Sequence, residues 1–142
     1  MNLMEMLLAL LSVVFFATVS SNYNRKMLDQ NDYMINATQY VQAAQLCHTV
    51  LDEIDAKLFA KMISFNSVKT TYANLNRTID LNFPGDVYNL NIRAVDCDSL
   101  GVPLASPPAN NLWVRVTVTA TTHGLKVPAK LQRLYTKTYL NL

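Results

Sequence analysis

The sequence predicts an α+β fold: a long N-terminal helix whose C-terminal half packs on a four-stranded antiparallel sheet. Three observations predict it. Glycine and proline are absent from residues 1 to 83, and all eight fall between Pro84 and Pro128, so a helical half precedes a strand-and-turn half. Across Asp29 to Leu58 the apolar residues Tyr40, Ala43, Ala44, Cys47, Val50, Leu51, Ile54 and Leu58 recur at helical spacing. Beyond residue 77, apolar and polar residues alternate in four runs, the signature of strands with one buried face.

Residues 1–27 form the first element, an apolar half-helix. Met6 to Ala17 is apolar except for Ser12, and no charge falls between Glu5 and Arg25. The uncharged run from Met6 to Asn24 is close to the roughly 20 residues that span hydrocarbon. Its C-terminal end is polar, and Ala17 to Asn24 is rich in Ser, Asn and β-branched residues that weaken a helix and allow a break there. Residues 28–142 form the globular domain. Its helix covers 28–61, with Gln42, Gln45, Asp52, Glu53 and Asp55 mostly off the apolar stripe. A helix continuous from the chain start would be roughly 90 Å long.

Residues 62–77 carry Ser, Asn and Thr without a sustained period and read as a loop. Strands follow at 78–83, 87–97, 112–122 and 130–141. Ile79, Leu81 and Phe83 alternate with Asp80 and Asn82; Pro84-Gly85-Asp86 makes the turn. Tyr88, Leu90, Ile92 and Ala94 face one way in the second strand. Leu112, Val114, Val116, Val118 and Ala120 do so in the third, against Trp113, Arg115, Thr117, Thr119 and Thr121. In the last, Leu134, Thr136, Thr138 and Leu140 oppose Arg133, Tyr135, Lys137 and Tyr139, and Tyr135 with Tyr139 reads as an ordinary solvent face or an exposed contact patch. A sheet with one apolar face needs a cover, and the amphipathic half of the helix is the available one.

At 142 residues with net charge +2 and no basic cluster, the chain gives no reason to infer nucleic acid. Cys47 and Cys97 are too few for a zinc site by themselves. Downstream of a membrane segment they suggest an oxidising compartment and one disulfide, which would tie helix to sheet; two free buried thiols are the other reading. A bond closing about 50 residues contributes about 4 kcal/mol in the chain-entropy model.

Glu5 is the outlying feature. A carboxylate inside a hydrophobic helix is expensive in lipid unless it is neutralised, and an α-amino group, mostly protonated at neutral pH, is the nearest available partner. The start Met1-Asn-Leu-Met-Glu5, followed by Met-Leu-Leu-Ala-Leu-Leu-Ser-Val-Val-Phe-Phe16, resembles the mature N-terminus of type IV pilins and pseudopilins. The whole architecture, an exposed half-helix continuing into a helix packed on an antiparallel sheet, also resembles the pilin fold. The resemblance implies that Met1 follows a short leader removed by a prepilin peptidase and that its amine is methylated. It implies that Glu5 pairs with the Met1 amine of a neighbouring subunit, and that Leu3, Met4, Leu7, Leu8, Leu11, Val14, Phe15 and Phe16 pack the filament core. It implies partners too: copies of the same chain, the inner membrane before assembly, and pilus or secretion machinery. The location is then an extracellular filament or a periplasmic pseudopilus. The chain departs from many pilins in having Asn22 where they have proline, and in a disulfide that would join helix to sheet.

Other readings of the same residues are a secretory signal peptide, for which a basic n-region is lacking, and a monomeric single-pass anchored binding module. Glu5 could also sit at the headgroups with its stem along the apolar boundary. No phosphate loop, nucleophile elbow or paired-carboxylate motif is present, so the expectation is no enzyme, no cofactor, no catalytic residue and no metal. His48 beside Cys47 reads as a surface residue. Asp86, Asp96 and Asp98 flank loops, where carboxylates serve turns more often than calcium. Asn36-Ala-Thr38 and Asn76-Arg-Thr78 match the glycosylation sequon.

Overall fold

A computed structural model describes residues 2–81, 86–105 and 112–137. The elements are α1 (Leu3–Phe59), α2 (Phe65–Thr71), β1 (Leu75–Asp80), β2 (Val87–Asp96), β3 (Trp113–Thr121) and β4 (Ala129–Thr136). The four strands form one antiparallel sheet in the order β1-β2-β3-β4, a meander. The α+β arrangement, with a helix packed on a four-stranded antiparallel sheet, is the one the sequence predicts.

Contacts divide the chain into two compact units, 1–37 and 38–142. The first is helical and almost wholly exposed. Here α1 passes through Ala17 to Asn24 unbroken. Thr18 Oγ1 donates to the Val14 carbonyl at 2.7 Å, so its hydroxyl is satisfied within the helix.

In the second unit the helix buries Gln39, Ala43, Cys47, Val50, Leu51, Ile54 and Leu58. The stripe therefore starts on Gln39, and Tyr40 stays exposed. Against it lie Tyr88, Leu90, Ile92 and Ala94 of β2, and Val114, Val116, Val118 and Ala120 of β3, with Ala129 and Tyr135 of β4. The period-2 alternation predicted for β2 holds from Tyr88 to Ala94, and that for β3 holds from Val114 to Ala120, while Leu112, just before the strand, is exposed. Tyr88 OH donates to Gln42 Oε1 at 2.7 Å, and Tyr135 OH donates to the Leu51 carbonyl at 3.3 Å. Two buried phenols thus end on the helix, each with a polar partner for its hydroxyl. Burial, followed by Asp55, holds the Tyr135 phenol well above its ordinary pKa.

Arginines from the sheet clamp the helix. Arg77 reaches both oxygens of Glu53, at 2.7 and 3.2 Å. Arg133 pairs with Asp52 at 3.0 Å and with Asp55. Lys57, one turn on, also pairs with Glu53. The helix ends as a Schellman motif: Met62 N–H bonds the Lys57 carbonyl and Lys61 N–H the Leu58 carbonyl, with Lys61 at φ 55°. Ordinarily glycine takes that left-handed position, and its absence explains why the sequence carried the helix on to residue 61.

Several boundaries differ from those read in the sequence. Residues 62–77 are not one loop. Ser64 N-caps α2 through a reciprocal bond with Ser67, Phe65 and Val68 are buried, and β1 begins at Leu75. The signal was a Ser-x-x-Ser capping box, whose second residue lacks the usual Glu or Gln. β1 ends at Asp80, short of 83, and Asn82 and Phe83 lie outside the described residues. Cys97 leaves β2 to form an isolated bridge with Pro103. Leu112 and Thr122 lie just outside β3, and β4 starts at Ala129. Tyr135 is buried, so it belongs to no exposed patch; Tyr139 lies outside the described residues.

The expected Cys47–Cys97 disulfide is absent: both thiols are free and buried. Cys47 Sγ lies 3.7 Å from the Val118 carbonyl and 3.8 Å from that of Ala129, beneath the β3–β4 pair. Val118 pairs with Ile92, and Cys97 lies five residues further along the strand direction, about 17 Å at the rise of an extended chain. A disulfide needs Cα atoms within about 7 Å. Burial pushes the Cys47 thiol up to about 11, against a smaller opposing effect from the Ala120 backbone, and also raises Cys97. Both are packing residues with little thiolate to react.

Candidate functional site: the exposed N-terminal half-helix

The first unit leaves its apolar side chains in the open. Leu3, Met4, Leu7, Leu8, Leu11, Val14, Phe15 and Phe16 are between 58% and 79% exposed. Met6, Leu10 and Val13, on the intervening positions, are exposed as well, so the helix is apolar around its whole circumference. A helix hydrophobic all round belongs in lipid or among other helices, not in water. By length and composition it can cross a membrane, which makes it a candidate anchor.

Exposure of large apolar groups does not stop where the span would. Tyr23, Met27, Leu28, Tyr33, Met34 and Ile35 are all largely exposed. Met27 and Met34, like Leu28 and Ile35, are seven apart and share a face. Arg25, Lys26, Asp29 and Asp32 are interspersed with them. If about 20 residues from Leu3 cross the bilayer, Ile35 lies roughly 20 Å beyond its edge at the helical rise.

Glu5 lies in the first turn of α1. Its Oε2 accepts the Asn2 backbone N–H at 3.1 Å, while Glu5 N–H returns to the Asn2 carbonyl at 2.9 Å. This is the Glu half of a capping box, three residues from the cap and at the positive end of the helix dipole. The sequence announces it as Asn2-x-x-Glu5, a spacing that the reading of Glu5 as an isolated charge passed over. Among the described residues Oε1 of Glu5 accepts nothing, and a carboxylate has lone pairs to spare for a second donor. The other half of the expected pair, the Met1 amine, lies outside the described residues.

The remaining candidates are dispersed. His48 is exposed on α1. Asp86 accepts from Gln39 Nε2 at 3.1 Å, Asp96 pairs with Lys69, and Asp98 takes the Leu100 and Val102 amides at 2.9 and 2.8 Å. Asp86 and Asp96 stand at opposite ends of β2, about 30 Å apart at the strand rise, so they form no common site. Gln39, missed in the sequence because glutamine does not signal a core position, is buried at the start of the packed stripe. It lies so close to Gly124 that a Cβ there would stand 2.5 Å from Gln39 Oε1.

Comparisons with protein-family models, characterised proteins and solved structures found no match to this chain.

Proposed function

We propose that this chain is a structural subunit of a type IV pilus-like filament, held in the membrane by its N-terminal helix before assembly and polymerising through it afterwards. The observation that carries the reading is the length of exposed apolar helix. An anchor needs about 20 residues, yet exposed apolar side chains continue to Ile35. Those beyond the hydrocarbon gain a dry environment only against other protein, and copies of the same helix offer one. A neighbour's amine approaching Oε1 of Glu5 would neutralise it without undoing the bond from Asn2, and would fix the stagger between subunits. An unpaired carboxylate in that bundle would cost several kcal/mol, so the pair works as a register device. A secretion pseudopilus fits the same residues.

Glu5→Ala and Glu5→Val test the proposal. Both should insert in the membrane as the native chain does, yet give few or no filaments. Normal filament yield from both variants would remove Glu5 from assembly. A second reading, a monomeric anchored binding module, draws support from the bond between Glu5 and Asn2, because a carboxylate that caps its own helix has a reason to be there without a partner. Under that reading the two variants lower helix stability slightly and change nothing else.

A further inference from the structure

The solvent face of the sheet carries a feature that does not depend on the helix or on assembly. Cross-strand partners share a face. Arg93 stands opposite Thr117, Arg115 opposite Val95, and Lys130 opposite Thr119. These residues line a concavity of about 300 Å³, walled on one side by Pro103 of the loop after β2. Arg115 ties that loop down: its guanidinium donates to the Gly101 carbonyl at 2.8 Å. Gly101 holds φ +81°, a conformation other residues rarely adopt.

Among the described residues, three cations meet here without a carboxylate. Elsewhere on the sheet Arg77 and Arg133 are paired with Glu53, Asp52 and Asp55. Neither Arg93, Arg115 nor Lys130 pairs with an acid among the described residues, and the residues outside that set carry no Asp or Glu. Asp98, at the start of the same loop, spends Oδ1 on the Leu100 and Val102 amides. Arg115 Nε is buried with no partner, a donor that costs free energy while it stays unfilled. The Thr117 and Thr119 hydroxyls are unused among the described residues, whereas Asn91 spends its amide on Asn74 and Asn76 and forms the rim. A face serving solubility alone would need neither the hollow nor a buried guanidinium nitrogen.

We infer that this hollow binds a phosphate group, with Arg93 and Arg115 as the charged forks and Thr117 and Thr119 as hydroxyl donors. Guanidinium geometry suits phosphate oxygens, and convergent cations raise the local anion concentration. The volume is at the low end for a small-molecule site, so the group is a free anion or the ester of a small polar molecule.

The test is an NMR titration of the full chain in non-ionic detergent micelles with inorganic phosphate, glucose 6-phosphate and glucose. Saturable shifts of the Arg93, Arg115, Thr117 and Thr119 amides are expected with both phosphates and not with glucose. Tighter binding of the ester identifies an esterified ligand, and equal or weaker binding identifies the free anion. Arg93→Gln and Arg115→Gln should each weaken binding at least tenfold, while Lys61→Gln, away from this face, should not. Arg93 makes no other bond among the described residues, so its variant stays readable even if Arg115→Gln disturbs the loop. No saturable shift with either phosphate, or equal weakening by Lys61→Gln, would overturn the inference.

Discussion

Removing the charge of Glu53 should make the sheet-bearing unit less stable near neutral pH and should abolish part of its acid sensitivity. Arg77 grips both carboxylate oxygens and Lys57 adds a further contact. The bond from Arg77, then that from Lys57, draws the Glu53 carboxyl from 4.5 down to about 2. That depression equals roughly 3.4 kcal/mol at face value. Glu53 is 35% exposed and Arg77 34%, so solvent screens much of it, and about 1 kcal/mol is the expected effect of Glu53→Gln at pH 7. A depressed carboxyl stabilises the fold above its unfolded pKa and loses that contribution as pH falls through the folded one. The difference between native and variant chains should therefore hold above about pH 5 and shrink steadily towards pH 2. Urea unfolding followed by Trp113 fluorescence, across that range in detergent, measures it. A difference that stays constant from pH 6 to pH 2.5, or is zero at pH 7, would refute the role given to this clamp.

Two further outcomes follow from the backbone and the thiols. Lys61→Gly should stabilise the protein by about 0.5 to 1 kcal/mol, because glycine relieves the left-handed strain at φ 55° at some cost in unfolded-chain entropy; a loss in urea midpoint would contradict the Schellman assignment. Alkylation without reductant should label neither cysteine quickly in the folded chain and both after unfolding, whereas a chain that takes no label after unfolding would hold the Cys47–Cys97 bond after all.

Those sequence features that read well were the periodic ones. Ala43, Cys47, Val50, Leu51, Ile54 and Leu58 fell on the buried stripe, and Tyr88 to Ala94 and Val114 to Ala120 fell on the buried face of their strands. Periodicity reports burial directly, so it survives without a structure. What it could not give was pairing in space. Two cysteines fifty residues apart looked like partners until the β2–β3 register put Cys97 five residues past Ile92. Short local devices were also hidden: Ser64 and Ser67 cap α2, and Lys61 closes α1 where glycine would have announced an end. The burial of Tyr135 is not legible in the sequence because aromatic and cationic residues share one face of β4, so neither face is plainly apolar; Arg133 reaches the core edge only because Asp52 and Asp55 meet it there. For the candidate site, the exposed apolar run is legible in the sequence. The cap from Asn2 and the cationic hollow on the sheet were not, since the first was masked by the interest of the charge and the second needs three strands in register.

Electron microscopy of material sheared from the surface of cells producing this chain, with intact-mass analysis of the subunit recovered, decides whether the chain assembles. Thin filaments built from this chain are expected, its N-terminus at Met1 and carrying one added methyl group. A chain found only as a monomer in the membrane fraction, with an unmodified N-terminus, would contradict assembly and leave Glu5 as a helix cap.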